Sequence, residues 1–150
     1  MKISIDKNES YSKVPHVIIR CQNENEEVRE LVALLEAREK KLIGTKEQEE
    51  HVIRPEQLLY AECVDGATFI YTEEEVYRTM YTLAELSQTY ESLGYFRCSK
   101  SCVINLNAIL KLTSELGNRI DACLINGEHI IISRRYAKEL RMILKGGEEE

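Results

Sequence analysis

Apolar and polar positions change period once along the chain. Val28, Leu31, Val32, Leu35 and Leu42 recur at helical spacing, which predicts one amphipathic helix over roughly Glu24–Leu42. Asn23 followed three residues later by Glu26 looks like a capping box, and Gly44 is the expected stop. Glu24, Glu26, Glu27 and Glu30 suit the positive end of the helix dipole, and Lys40 and Lys41 the negative end. Ahead of it, Lys2–Asp6 and His16–Cys21 read as short strands.

After Ile43 the pattern alternates. Leu58–Val64 and Ala67–Thr72 flank Asp65-Gly66, a strong two-residue hairpin signal. Glu75–Tyr81 follows as a strand, and Leu83–Leu93 as a short helix ended by Gly94. Further strands are predicted at Tyr95–Cys98, Ala108–Glu115, Arg119–Ile125 and His129–Ile132, with turns at Gly117-Asn118 and Asn126-Gly127. A final helix is predicted over Arg134–Leu144, capped by Ser133. Tyr136, Leu140 and Ile143 form its expected buried side. Arg134, Lys138, Arg141 and Lys145 step by 4, 3 and 4 along the other side. The predicted fold class is α+β, mainly antiparallel β. Residues 1–49 form a strand-helix extension, 50–145 the main domain, and 146–150 an acidic tail.

Composition narrows the possibilities. The chain has 150 residues and a net charge of −6, a length suited to one domain. No apolar run approaches the roughly 18 residues of a membrane span. The first ten residues are polar and charged, unlike a signal peptide. Five cysteines without an export signal suggest reduced thiols in the cytoplasm. Charge is uneven: residues 51–92 carry 2 basic and 8 acidic side chains, whereas 93–145 carry 9 basic and 4 acidic. A basic C-terminal third suggests an anion-binding face.

Enzyme and metal chemistry find little support. Cys98-x-x-x-Cys102 lacks the second pair a zinc site needs, and His16, His51 and His129 have no partner at helical spacing. No phosphate-binding glycine loop is present, and no cofactor, metal, catalytic residue or small-molecule substrate is expected. The cations are more informative. Arg134 and Arg135 at a helix start oppose the dipole, which points to phosphate or base contact. Arg97-Cys98-Ser99-Lys100-Ser101 gathers two cations and two hydroxyls in five residues, a mixture suited to phosphate.

Several stretches in order resemble the LytTR-type DNA-binding domain. They are Pro55–Glu62, then Phe96–Leu106, then Asn126-Gly127-Glu128, then Ile132-Ser133-Arg134-Arg135-Tyr136. The resemblance covers residues 50–145. It implies an elongated stack of small antiparallel sheets with short helices. It also implies a sequence-specific transcriptional regulator of double-stranded DNA that reads successive major grooves through loops. Carried across, the family's base contacts fall at Thr68, in the loop after the first hairpin, at Lys100 and at Arg134. Thr68 and Lys100 depart from the family residues at those places, which bears on base preference. Arg97, Ser99, Ser101, Arg135 and Lys138 become phosphate-contact candidates.

The front segment resembles the extension of stand-alone LytTR regulators, which are often paired with a small membrane protein that restrains them. With about 50 residues in front and no cluster of acids after an early strand, a phosphoacceptor receiver is not expected here. Val28, Leu31, Val32 and Leu35 suggest either a homodimer face or packing on the protein's own sheet. The alternative function is a protein-interaction module that mainly binds a membrane or protein partner.

Overall fold

A computed structural model describes residues 1–145; the expected acidic tail, 146–150, lies outside them. Helix α1 spans Glu26–Glu39. Its cap is Asn25 rather than Asn23, because the Asn25 side chain is the one that accepts the Val28 N–H, at 3.0 Å. Lys40 leaves the helix with extended backbone, and Leu42 already belongs to a strand.

Gly44 is therefore no helix stop. It sits inside β1 (Leu42–Lys46), which pairs with β2 (Glu49–Ile53). A Cβ at Gly44 would lie 2.6 Å from both Ile53 Cδ1 and Tyr77 Cβ, so the residue permits close approach of β1 to its neighbours. Glu47 and Gln48, at φ 50° and 68°, make the two-residue turn. This hairpin crosses the expected boundary at residue 49 and joins the main sheet, where Thr45 pairs with Arg78.

β3 (Tyr60–Val64) and β4 (Ala67–Tyr71) close around Asp65-Gly66, at φ 51° and 79°. Then come β5 (Val76–Thr79) and α2 (Leu83–Thr89), whose Thr82 and Glu85 form a reciprocal capping box. β6 (Tyr95–Ser99), β7 (Cys102–Asn105), β8 (Ile109–Ser114), β9 (Ile120–Leu124) and β10 (His129–Ile132) follow, and α3 (Arg134–Lys145) completes the fold. β7 was not anticipated as a strand. The seven-stranded sheet runs β2-β1-β5-β4-β3-β7-β6, and a three-stranded sheet runs β10-β9-β8. Every pairing is antiparallel, as the hairpin spacing predicted.

β3, β6 and β7 supply side chains to two cores. Tyr60, Phe96, Cys98 and Ile104 pack with Ile120, Leu124, Ile132, Ala137 and Leu140 beneath the small sheet and α3. Ala61, Tyr95 and Val103 pack on the opposite face with Leu42, Leu83, Leu86, Tyr90 and Ala37. Strands apolar on both faces are what a sheet covered on both sides requires. In α3 the buried residues are Ala137 and Leu140. Ile143, expected inside, is 50% exposed, because Leu140 is the last buried residue of the helix.

Residues 1–23 contain neither helix nor strand. The expected strands at Lys2–Asp6 and His16–Cys21 do not form, and Ile3, Ile5, Val17 and Ile18 stand in solvent. Alternation alone does not hold a strand; it needs a paired neighbour, and no strand pairs with either segment.

Candidate nucleic-acid interface

Three segments far apart in sequence meet at one end of the large sheet. The first is the β3–β4 hairpin. Its tip is joined to the second, the β6–β7 turn, by a hydrogen bond from Cys63 N to Ser101 O at 2.9 Å. The third is the start of α3, fixed to β6 by Ser133 N donating to Cys98 O at 2.9 Å. The Ser133 carbonyl accepts the Ala137 N–H at 2.7 Å, which begins the helix at the expected residue.

The β6–β7 turn is built from within. Ser99 pairs with Cys102, leaving Lys100 and Ser101 as the turn, and the register shifts at Cys98. Such a bulge bends the strand and re-aims its end. Arg97 donates from Nε to Ser99 O at 2.9 Å and from Nη2 to Lys100 O at 2.5 Å. The Ser99 hydroxyl oxygen accepts Ser101 N–H at 3.3 Å. Arg97 and Ser99, both expected on phosphate, are thus half-buried and engaged in shaping the turn, while Lys100 and Ser101 are exposed.

Arg134, Arg135 and Lys138 are exposed on α3. The Arg135 guanidinium lies 5.3 Å from the Tyr136 ring centroid, and Tyr136 meets Phe96 edge to face at 6.4 Å. The aromatic residues of two separate sequence motifs therefore anchor the helix start to β6. Among the described residues, no ion pair involves Lys100, Arg134, Arg135 or Lys138. Their charge is available to an anion.

Thr68 needs correction. It was expected in a loop, but Asp65-Gly66 turns the chain in two residues, so Thr68 falls in β4 between Cys63 and Thr79 and is 8% exposed. The solvent-facing residues of that hairpin are Val64, Asp65 and Gly66. Sequence reasoning also missed Met80. It follows Thr79, the strand partner of Thr68, and is 94% exposed at the same end. Nothing in the sequence pattern distinguished it.

Other motif residues hold the scaffold. Asn105 is buried; its Nδ2 donates to Leu58 O and its Oδ1 accepts Asn107 N–H. The Tyr60 hydroxyl donates to Glu128 Oε2 at 2.9 Å, tying β3 to the Asn126-Gly127 turn. Burial first, then this bond to a carboxylate, pushes the Tyr60 phenol well above its usual range. Cys98, Cys102 and Cys123 are buried. Hydrogen bonding to Cys98 and burial push the Cys102 thiol up, which disfavours a reactive thiolate. Among the described residues there is no cluster of metal-ligating side chains and no helix long and apolar enough to cross a membrane.

The LytTr DNA-binding domain family matches residues 48–145. The chain is 28% identical over 94 residues to Sensory transduction protein LytT of Bacillus cereus, a match covering 63% of this chain and 38% of that protein. It is 28% identical over 109 residues to Transcriptional regulatory protein YpdB of Escherichia coli, covering 71% of this chain and 45% of that protein. The chain thus spans less than half of either relative. A solved LytTr DNA-binding domain from Bacillus cereus superposes with a TM-score of 0.62 at 23% identity, covering 71% of this chain and 97% of that one.

Proposed function

Since the chain belongs to the LytTr DNA-binding domain family, we propose that it is a transcriptional regulator that reads specific double-stranded DNA through loops set in successive major grooves. The observation that carries this reading is the convergence of the β3–β4 tip, the β6–β7 turn and the α3 start, with four exposed cations outside any ion pair of the described residues.

Arg134 stands at a helix start and is suited to bidentate contact with guanine O6 and N7; Lys100, at the turn apex, makes a less rigid contact. Arg135, Lys138 and Ser101 face phosphates. Arg97 and Ser99 hold the turn in shape. The hairpin's contribution moves from Thr68 to its tip, with Met80 beside it as an apolar group suited to a thymine methyl. The same reading places the protein in the cytoplasm, with no catalytic step. A small membrane protein that restrains the regulator is the second partner suggested by the family resemblance.

The test is mobility shift of DNA selected from a random-sequence library, at two salt concentrations with nonspecific competitor. The expected result is a specific shift that weakens as salt rises. Retention of a membrane or protein partner, with no DNA selected, would favour the interaction-module reading instead.

A further inference from the structure

Helix α1 docks on the body by its less apolar side. Ala37 is buried in the core with Leu42 and Leu83, and Ser92 donates to Ala33 O at 3.2 Å. At 100° per residue Ala37 lies about 180° from Val28. The stripe Val28, Leu31, Val32 and Leu35 occupies a sector of about 100° centred away from that contact. Val32 and Leu35 are 38% and 39% exposed. The side carrying Ala37 is the one that packs into the core; Val28 and Leu31 are half-buried, with Leu31 also lining the groove between α1 and Gln88–Ser92, and Val32 and Leu35 form the exposed part of the stripe.

Charge on the flanks of the stripe is self-complementary. Arg29 and Glu36 border one edge, Glu27 and Arg38 the other, and all four are exposed. Among the described residues, no ion pair involves any α1 side chain; Arg29 makes a single contact, from Nη1 to Glu24 O. Each edge carries opposite charges placed symmetrically about the middle of the helix. Turned end for end about a two-fold axis near Leu31 and Val32, a second α1 would set its Leu35 against Val28 and its Val32 against Leu31. The same rotation brings its Glu36 to Arg29 and its Arg38 to Glu27. A parallel two-fold pairing would instead set Arg29 against Glu27 and Glu36 against Arg38 of the second copy; the antiparallel one in addition opposes the two helix dipoles.

We propose that the outward stripe of α1 is an interface for a second copy of this chain, packed antiparallel about a two-fold axis. The pairing does not depend on DNA and is measured without it. Sedimentation equilibrium of the full chain over about a hundredfold range of concentration reads it directly. The wild type sediments as a monomer–dimer equilibrium. Val32→Glu and Leu35→Glu, at exposed positions, each weaken association by at least about tenfold, with far-UV circular dichroism unchanged. Arg29→Glu weakens it as well, and adding Glu36→Arg restores it. Within one helix these two residues are seven apart and do not meet, so rescue reports a contact between copies. A monomer at every concentration, association untouched by both apolar replacements, or a charge swap that fails to restore would overturn the proposal.

Discussion

Arg97→Ala separates two roles for a cation in the β6–β7 turn. Its Nε and Nη2 donate to the carbonyls of Ser99 and Lys100. Hydrogen bonds from a charged donor contribute about 1.5–3 kcal/mol when well shielded. Arg97 is half-buried, so about 1 kcal/mol per bond is the appropriate discount. Removing both should cost about 2 kcal/mol and lower Tm by about 4–8 °C for a chain of this size. Ordering a loosened turn on DNA adds about 1 kcal/mol, so Kd should rise about five- to tenfold. The discriminating assay is fluorescence anisotropy on a selected operator across a salt series. A residue that only shapes the turn leaves the slope of log K against log salt unchanged. A residue that contacts phosphate reduces the slope by about one. A slope reduced by one with Tm unchanged would refute the clamp and return Arg97 to the backbone-contact set.

Three further outcomes are expected. Arg134→Ala should cost about 1–3 kcal/mol of specific binding and relax preference at one position of the site, read by competition with single-base operator variants. Gly44→Ala should destabilise by about 1–3 kcal/mol in urea titration, since its Cβ would lie 2.6 Å from Tyr77 Cβ, which is fixed to the backbone, and from Ile53 Cδ1. A maleimide applied to the native protein should modify exposed Cys21 first and half-buried Cys63 more slowly, while Cys98, Cys102 and Cys123 react only after denaturation; mass spectrometry of the labelled peptides distinguishes them.

The strands from β3 onward were largely legible because their turns use residues with a direct conformational reason: Asp65 and Gly66 in one hairpin and Gly127 in another supply the positive φ. The β1–β2 hairpin was hidden because its turn is Glu47-Gln48, which carries no such signal, and because Gly44 reads as a helix stop when only the preceding helix is in view. β7 was hidden by its sequence, Cys102–Asn105, buried at every position and so without alternation. Strand-like patterns at Lys2–Asp6 and His16–Cys21 misled for the opposite reason, since pairing depends on a neighbour that local sequence does not specify.

At the interface, Lys100, Arg134, Arg135 and Lys138 were legible as exposed cations near turn or helix-start signals. Thr68 was misplaced by the length of a turn, and the inward role of Arg97 required the backbone of its own loop to be known. The docking of α1 through Ala33 and Ala37 was not legible, because small residues give a weak hydrophobic pattern while permitting a close helix contact.

The most direct measurement is methylation interference on a selected operator, because guanine N7 lies on the major-groove edge and adenine N3 on the minor-groove edge. Major-groove reading by these loops predicts interference at guanine N7 in clusters about one helical turn apart, with one cluster lost in Arg134→Ala. Interference confined to adenine N3, or a guanine pattern unchanged by Arg134→Ala, would contradict it.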